Sequence, residues 1–169
     1  MSDRYSVEIE IGGNCPKARL KELAELLEHM GWYREWSDDT DKVSLMDELK
    51  LPEKGFAAFT QHDANISHQD ELMDMLEDIK LPYVFRVHGS LVYDGSIIWW
   101  CPGFTSRWEM TADVNAQWVV VTQAWLLGRQ KVGCTLSDVI EYLQQCPPKL
   151  PPFKIVDDPD HEIPAVVAG

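Results

Sequence analysis

The chain has 169 residues, 45% of them hydrophobic and 10% aromatic, and its 28 acidic and 15 basic side chains give a formal net charge of −13. Repulsion between like charges argues against direct binding to nucleic acid or to an anionic membrane, and favours a basic protein as partner. The aromatic content excludes general disorder, and the absence of an apolar run of about 18 residues argues against a transmembrane helix.

The length is typical of one domain with a sizeable core. We expect a single domain over 1–146, followed over 147–169 by a proline-rich, acidic C-terminal arm that lies along the body through Phe153, Ile155 and Val156. A basic segment followed by an apolar one is not found at the N-terminus, which favours a cytoplasmic location. The four cysteines form no close pair, so we expect free thiols and assign no metal or cofactor.

In the first half of the chain, periodic apolar residues predict alternating strands and helices. Apolar and polar residues alternate over 5–11, which predicts a half-buried strand. Leucines then recur at helical spacing over 16–30, with Pro16 in the first turn, and Gly12-Gly13-Asn14 is interpreted as a plain turn and not as a phosphate-binding loop. The other elements expected before residue 80 are a loop over 32–43, a short helix over 45–50, a short strand over 56–60 and a helix over 68–79.

In the second half, the pattern predicts a strand from Tyr83 and a hairpin with arms over 96–101 and 107–112. The run over 118–121 is apolar on both faces, which predicts a central strand. Thr122 and Thr135 are placed to cap helices, and these helices are expected to end at Leu127 and Cys146. The alternative at Thr122 is that the strand continues. The inward face predicted for the last helix consists of Leu136, Val139, Ile140 and Leu143. This mixed order predicts an α+β fold, with a largely antiparallel sheet and helices packed mainly on one face.

The densest polar segment lies over 61–71 and contains His62, His68 and three carboxylates. The two imidazoles with nearby carboxylates are candidates for metal ligation or for base catalysis. The carboxylates also suit the N-terminus of a helix, where they complement the helix dipole, and this interpretation is favoured. Cys15 before a helix and Cys101 before a turn are candidate nucleophiles, but small buried thiols are favoured. We therefore assign no catalytic residue.

Two adjacent tryptophans, Trp99 and Trp100, lie in one predicted strand. Adjacent strand residues point to opposite faces, so one ring lies on the face away from the helices. Trp108 and Trp118 are candidates to join this ring, and together with Phe104 at the hairpin tip they predict an exposed aromatic surface that binds a protein. The alternative is that both faces of the sheet are buried or that the C-terminal arm covers the ring.

Acidic side chains form two further candidate groups. The candidate partner-binding carboxylates are Asp38, Asp39 and Asp41 in a loop, and Asp70, Asp74, Glu77 and Asp78 on the helix over 68–79. On that helix the apolar side chains recur on one side, which leaves the carboxylates facing solvent with only Lys80 expected to balance their charge. Such a face either keeps the protein soluble or imitates a phosphate backbone toward a basic partner.

These features favour a non-enzymatic interaction protein. The leading hypothesis is an inhibitor or nucleic-acid mimic, of the immunity type or from a phage or mobile element, that acts on a basic, nucleic-acid-handling partner. Two alternatives stay open at this point. One is a small metal-binding or hydrolytic enzyme that uses His62, His68 and nearby carboxylates. The other is a homodimer or larger homo-oligomer that buries an aromatic sheet face.

Overall fold

A computed structural model describes residues 5–33, 45–50, 52, 55–65, 68–89 and 94–157. The strands are β1 (Tyr5–Ile11), β2 (Asn14–Pro16), β3 (Ala57–Ala64), β4 (Tyr83–Val87), β5 (Gly95–Trp100), β6 (Trp108–Ala112) and β7 (Lys154–Val156). The helices are α1 (Lys17–His29), α2 (Leu45–Lys50), α3 (Asp70–Asp78), α4 (Gln123–Lys131) and α5 (Leu136–Gln144). Within these ranges, no helix has the length and apolar character needed to cross a membrane.

The main sheet has the strand order β3-β1-β4-β5-β6, and every neighbouring pair is antiparallel. Ile9 of β1 lies opposite Phe59 of β3 on one side and Phe85 of β4 on the other. An apolar row therefore crosses three adjacent strands on one face. This architecture confirms the α+β fold with a largely antiparallel sheet.

Helices α1, α2 and α3 cover that apolar face. Leu23 and Leu27 of α1, Leu49 of α2 and Leu76 of α3 are fully buried in the same core as the apolar row. Burying a leucine side chain contributes about 1.5–3 kcal/mol, so this layer provides the main hydrophobic stabilisation of the fold.

A second, smaller core lies on the opposite face of β4, β5 and β6. It is formed by Val84, Ile97, Trp99, Ala112 and Ala116, with further partly buried apolar residues against it. Those further residues are Met110, Val119, Cys146 and Leu150. The segment that follows β6 thus covers the second face at this end of the sheet.

The C-terminal segment connects the two cores. Leu150 packs against the second core and Phe153 is buried in the first, so the chain passes around the end of the sheet between them. The C-terminal segment approaches the backbone of Gly12 so closely that an added Cβ at Gly12 would lie 2.3 Å from the Pro151 carbonyl oxygen. Next, β7 pairs in parallel with β2, and the expected packing through Phe153 and Ile155 is confirmed.

The run over 118–121 is not the central strand that its apolar residues predict. Val119 makes an isolated bridge to Ala112, and the Trp118 side chain faces solvent. The segment lies beside the edge strand β6, and no described strand pairs with its other side. The predicted loop over 32–43 falls mainly on residues outside the described ranges.

Two helix predictions also need correction. The helix that begins after Thr122 extends to Lys131 and not to Leu127. In α5, which is described throughout, Val139 is the buried residue, while Leu136 and Ile140 of the predicted inward face are exposed. The periodic pattern correctly identified an apolar side, but this side does not lie against the sheet.

Candidate functional site

The carboxylates of α3 lie on the outer side of the helix because its apolar side chains, Leu72, Met73 and Leu76, face the sheet. Asp70, Asp74 and Asp78 are separated by four residues each, so they lie about 6 Å apart along the axis, given a rise of about 1.5 Å per residue. The α3 helix therefore presents a regular row of negative charges.

Arg107, immediately before β6, contacts this row. Its Nη1 donates to Asp70 at 2.8 Å and its Nε donates to Glu77 at 2.5 Å, while its Nη2 donates to Asp74. The Tyr83 hydroxyl also donates to Glu77, at 2.8 Å. Although partial burial opposes it, hydrogen bonding to Glu77 and Asp74 raises the pKa of Arg107, which therefore stays charged.

This contact corrects the expectation that only Lys80 balances the carboxylates of α3. Arg107 is 30 or more residues from the carboxylates in sequence, and only the fold brings them together. The Lys80 ammonium instead lies 6.0 Å from the centre of the Trp100 ring.

A second guanidinium joins α3 to α1. Arg19 contacts Glu22 at 2.7 Å and Asp78 at 3.2 Å. We call these side chains together the acidic patch: Arg19, Glu22, Asp70, Asp74, Glu77, Asp78 and Arg107. Five carboxylates and two guanidiniums give the patch a formal net charge of −3. Asp38, Asp39 and Asp41 lie outside the described residues.

The adjacent tryptophans lie on opposite faces of the sheet, as strand geometry predicts. Trp100 is in the first core and 5% exposed, and Trp99 is in the second core and 2% exposed. The expectation that one ring is exposed is wrong, because the segment after β6 covers Trp99. Trp108 of the neighbouring strand β6 stacks on Trp99 with ring centres 6.4 Å apart. The partly exposed Phe104 contacts Trp108 edge-on.

The chain that covers Trp99 carries its own exposed apolar surface. We call its exposed large side chains the hairpin face: Trp118, Val120, Leu126, Leu127, Val132, Leu136 and Ile140. Trp118, Val132 and Leu136 are 71%, 74% and 72% exposed. The inner side of the same hairpin is held by Arg129, whose guanidinium lies 5.0 Å from the ring centres of Trp125 and Tyr142. The sequence pattern did not reveal this face, because it placed Leu136 and Ile140 toward the core and the run over 118–121 in a central strand.

The exposed position of Trp118 is fixed by hydrogen bonds. The Asp113 carboxylate accepts from the backbone N–H groups of Gln117 and Trp118, both at 2.7 Å. The Asp113 N–H donates to the Trp118 carbonyl, and the Val120 N–H donates to the Thr111 carbonyl. The bonds that its carboxylate accepts lower the pKa of Asp113, most of all the bond from Trp118. Together the four bonds hold the backbone of this loop, and the Trp118 side chain on it is exposed.

The two candidate histidines have different surroundings. His62 lies on β3, which extends to Ala64, and its Nδ1 is 3.0 Å from the Ser6 hydroxyl. His68 is exposed just before α3. Across the described ranges, no group of three or more His, Cys, Asp or Glu side chains is arranged to hold a metal ion.

The two candidate thiols are buried. Cys15 lies in β2 and outside α1, which begins after Pro16. Burial raises the pKa of Cys15 to about 11, with a smaller opposing effect of Arg19, and burial also raises the pKa of Cys101. Because the thiolate is the nucleophilic form, neither environment activates its cysteine at neutral pH.

In comparisons with known proteins, no family model, no curated protein and no solved structure matches this chain. Functional assignment therefore depends on the surfaces of the chain itself. Two of them are built from described residues and differ in character: the acidic patch and the hairpin face.

Proposed function

We propose that this protein is a non-enzymatic interaction protein whose acidic patch binds a basic partner. The observation that carries the proposal is the convergence of carboxylates from α1 and α3 on one outward face. Asp74 and Asp78 keep most of their side-chain surface exposed although each contacts an arginine. The patch therefore keeps a net negative charge where a partner can reach it.

The chemistry of the partner follows from the spacing of the charges. Asp70, Asp74 and Asp78 form a row of anions, and a protein surface that binds a nucleic-acid backbone carries a complementary set of Lys and Arg. A basic, nucleic-acid-handling protein is thus the partner class that we propose, with this chain as its inhibitor or mimic. The net charge of the whole chain adds long-range attraction that increases the association rate.

The test uses the full chain as bait in a lysate of its host at low salt, with elution by salt and identification by mass spectrometry. The variant Asp74→Asn/Asp78→Asn removes two charges from the patch. The matched control, Asp94→Asn/Asp157→Asn, removes two exposed charges outside the acidic patch and outside the α4–α5 hairpin. We expect one basic protein to be captured by the wild type and the control and lost from the patch variant, and duplex DNA to compete for it.

Equal capture by the patch variant and the control would contradict the proposal. The same holds if the captured protein resists elution at high salt, because contacts between exposed charges weaken as ionic strength rises. Binding that duplex DNA leaves unchanged would exclude the nucleic-acid-binding surface of the partner as the target.

A further inference from the structure

Among the described residues, the helical hairpin formed by α4 and α5 packs on the rest of the chain through few side chains, one of which is Tyr142 against Trp108 of β6. Over its whole described length α4 buries no side chain, and α5 buries Val139 alone. Each helix has nine residues, fewer than an isolated helix needs for stability in water, so most of its stability must come from packing. The exposed apolar side chains of this hairpin are therefore available to pack on a further apolar surface.

The sequence nevertheless specifies both helices. The Thr122 hydroxyl caps α4 by accepting from the Trp125 N–H, and Thr135 and Asp138 form a reciprocal capping box at the start of α5. With the fixed loop at Trp118, these caps make the exposure of the hairpin face a defined feature of the fold. Tryptophan is among the side chains enriched at the energetic centres of protein interfaces, and Trp118 is 71% exposed.

Charge distinguishes this face from the rest of the molecule. Residues 113–157 contain four acidic and four basic side chains, so their formal net charge is zero and the full −13 lies elsewhere in the chain. A basic partner is attracted away from this face, toward the acidic patch. A second copy of the chain, which carries the same −13, meets the least repulsion here.

The hairpin also carries exposed charges of both signs, such as Lys131 and Glu141. A two-fold contact uses the same surface on both subunits, so that surface must complement itself, which a neutral face with both signs can do. We infer that two copies of this chain associate through the hairpin face, with Trp118 and Leu136 as central apolar contacts. This inference is independent of the proposed function because it uses a different surface.

The response to salt separates the two surfaces. Salt screens the repulsion between two acidic chains and leaves apolar contacts intact, so the dimer is expected to tighten as ionic strength rises. Binding at the acidic patch is expected to weaken under the same change. A salt titration therefore distinguishes a failure of the dimer inference from a failure of the proposed binding at the acidic patch.

Sedimentation equilibrium of the full chain at low and high salt provides the test. Leu136→Lys and the control Glu28→Gln each lower the net negative charge by one, so general repulsion falls equally in both. We expect Leu136→Lys to raise the dimer dissociation constant by about tenfold or more, because the residue enters the contact twice. Glu28→Gln, on α1, is expected to leave it unchanged.

Trp118→Ser is a second variant in a loop outside both helices, and it is expected to weaken the dimer to a similar extent. Circular dichroism of each variant verifies that it folds. A chain that stays monomeric at every concentration and salt level would overturn the inference. So would equal dissociation constants for Leu136→Lys, Trp118→Ser and Glu28→Gln.

Discussion

Helices α3 and α5 have nine residues each and are similarly amphipathic, yet they contribute to the fold in different ways. The apolar side of α3 is buried against the sheet through Leu72, Met73 and Leu76. The apolar side of α5 leaves Leu136 and Ile140 exposed. Amphipathicity shows that a helix has an apolar side to bury, and only the tertiary structure shows what covers it.

The polar sides of the two helices differ as well. The α3 helix and its neighbour α1 carry a patch of net charge −3, whereas the segment that contains α5 is neutral overall. One region thus combines a buried apolar side with exposed negative charge, and the other combines a neutral surface with exposed apolar groups. The first suits a basic partner and the second suits another copy of the chain.

Truncating one leucine in each region gives the largest predicted contrast. Leu76→Ala in α3 is expected to lower the free energy of unfolding by about 2–5 kcal/mol, because it leaves a cavity in the core. Leu136→Ala in α5 is expected to change it by less than about 0.5 kcal/mol when measured on dilute, monomeric protein. Urea unfolding measures both. Equal losses would show that the hairpin packs as tightly as the core.

Two glycines are expected to respond to alanine with opposite signs. A Cβ at Gly12 would lie 2.3 Å from the Pro151 carbonyl oxygen, so Gly12→Ala is expected to cost about 1–3 kcal/mol by displacing the C-terminal segment. A Cβ at Gly128 in α4 meets no atom of the described chain within 4 Å, so Gly128→Ala is expected to stabilise by about 0.5–1 kcal/mol.

The two glycine variants are compared by thermal unfolding monitored by circular dichroism. A higher midpoint for Gly128→Ala and a lower one for Gly12→Ala is the expected pattern. If Gly12→Ala leaves the midpoint unchanged, the C-terminal segment is not docked at the end of β1.

Removing the arginine at the centre of each region is expected to have a smaller effect. Arg107→Met leaves three carboxylates of α3 without their cation, and because the site is partly exposed we expect a loss of about 1–2 kcal/mol. Arg129→Met removes contacts with the Trp125 and Tyr142 rings, and we expect a loss of about 0.5–1 kcal/mol. Added salt is expected to shrink the loss at Arg107 more than the loss at Arg129, as measured by urea unfolding. A larger effect of salt on the loss at Arg129 than on the loss at Arg107 would contradict the conclusion that charge pairs stabilise the α3 region.

The smallest predicted effect concerns pH. Hydrogen bonds from the Thr135 side chain and backbone hold the pKa of Asp138 below its ordinary value of 3.8. A carboxyl whose pKa is lowered by folding stabilises the folded state above the unfolded pKa and loses that contribution as pH falls through the folded one. The α5 helix is therefore expected to lose helicity as pH falls below about 3.8.

The control for this titration is Asp138→Asn, followed by far-ultraviolet circular dichroism. The variant is expected to be less helical than the wild type at neutral pH and to match it at low pH. A difference that persists unchanged at low pH would show that Asp138 acts by some means other than its charge.

Local pattern predicted most of the fold. The alternation over β1 and the leucine spacing of α1 are correct because each element buries one side in the core and leaves the other side more exposed. The caps at Thr122 and Thr135 are correct because capping depends on a few adjacent residues. Such features need no knowledge of distant parts of the chain.

The candidate surfaces depend on distant parts of the chain, and the sequence did not show them. Arg107 reaches Asp70 across 37 residues, a contact that no local pattern contains. The apolar run at Trp118 has the composition of a buried strand, but it lies beyond the sheet edge, where no partner strand exists among the described residues. Which apolar side chains face solvent was therefore not predictable.

Hydrogen exchange of the backbone amides at two protein concentrations tests the contrast between the regions most directly. In dilute protein, amides of α3 and β4 are expected to exchange slowly and those of α4 and α5 to exchange much faster, because few side chains of the hairpin are buried. At high concentration the hairpin amides are expected to become protected while the core is unchanged. Equal and concentration-independent protection of α3 and α5 would contradict the account.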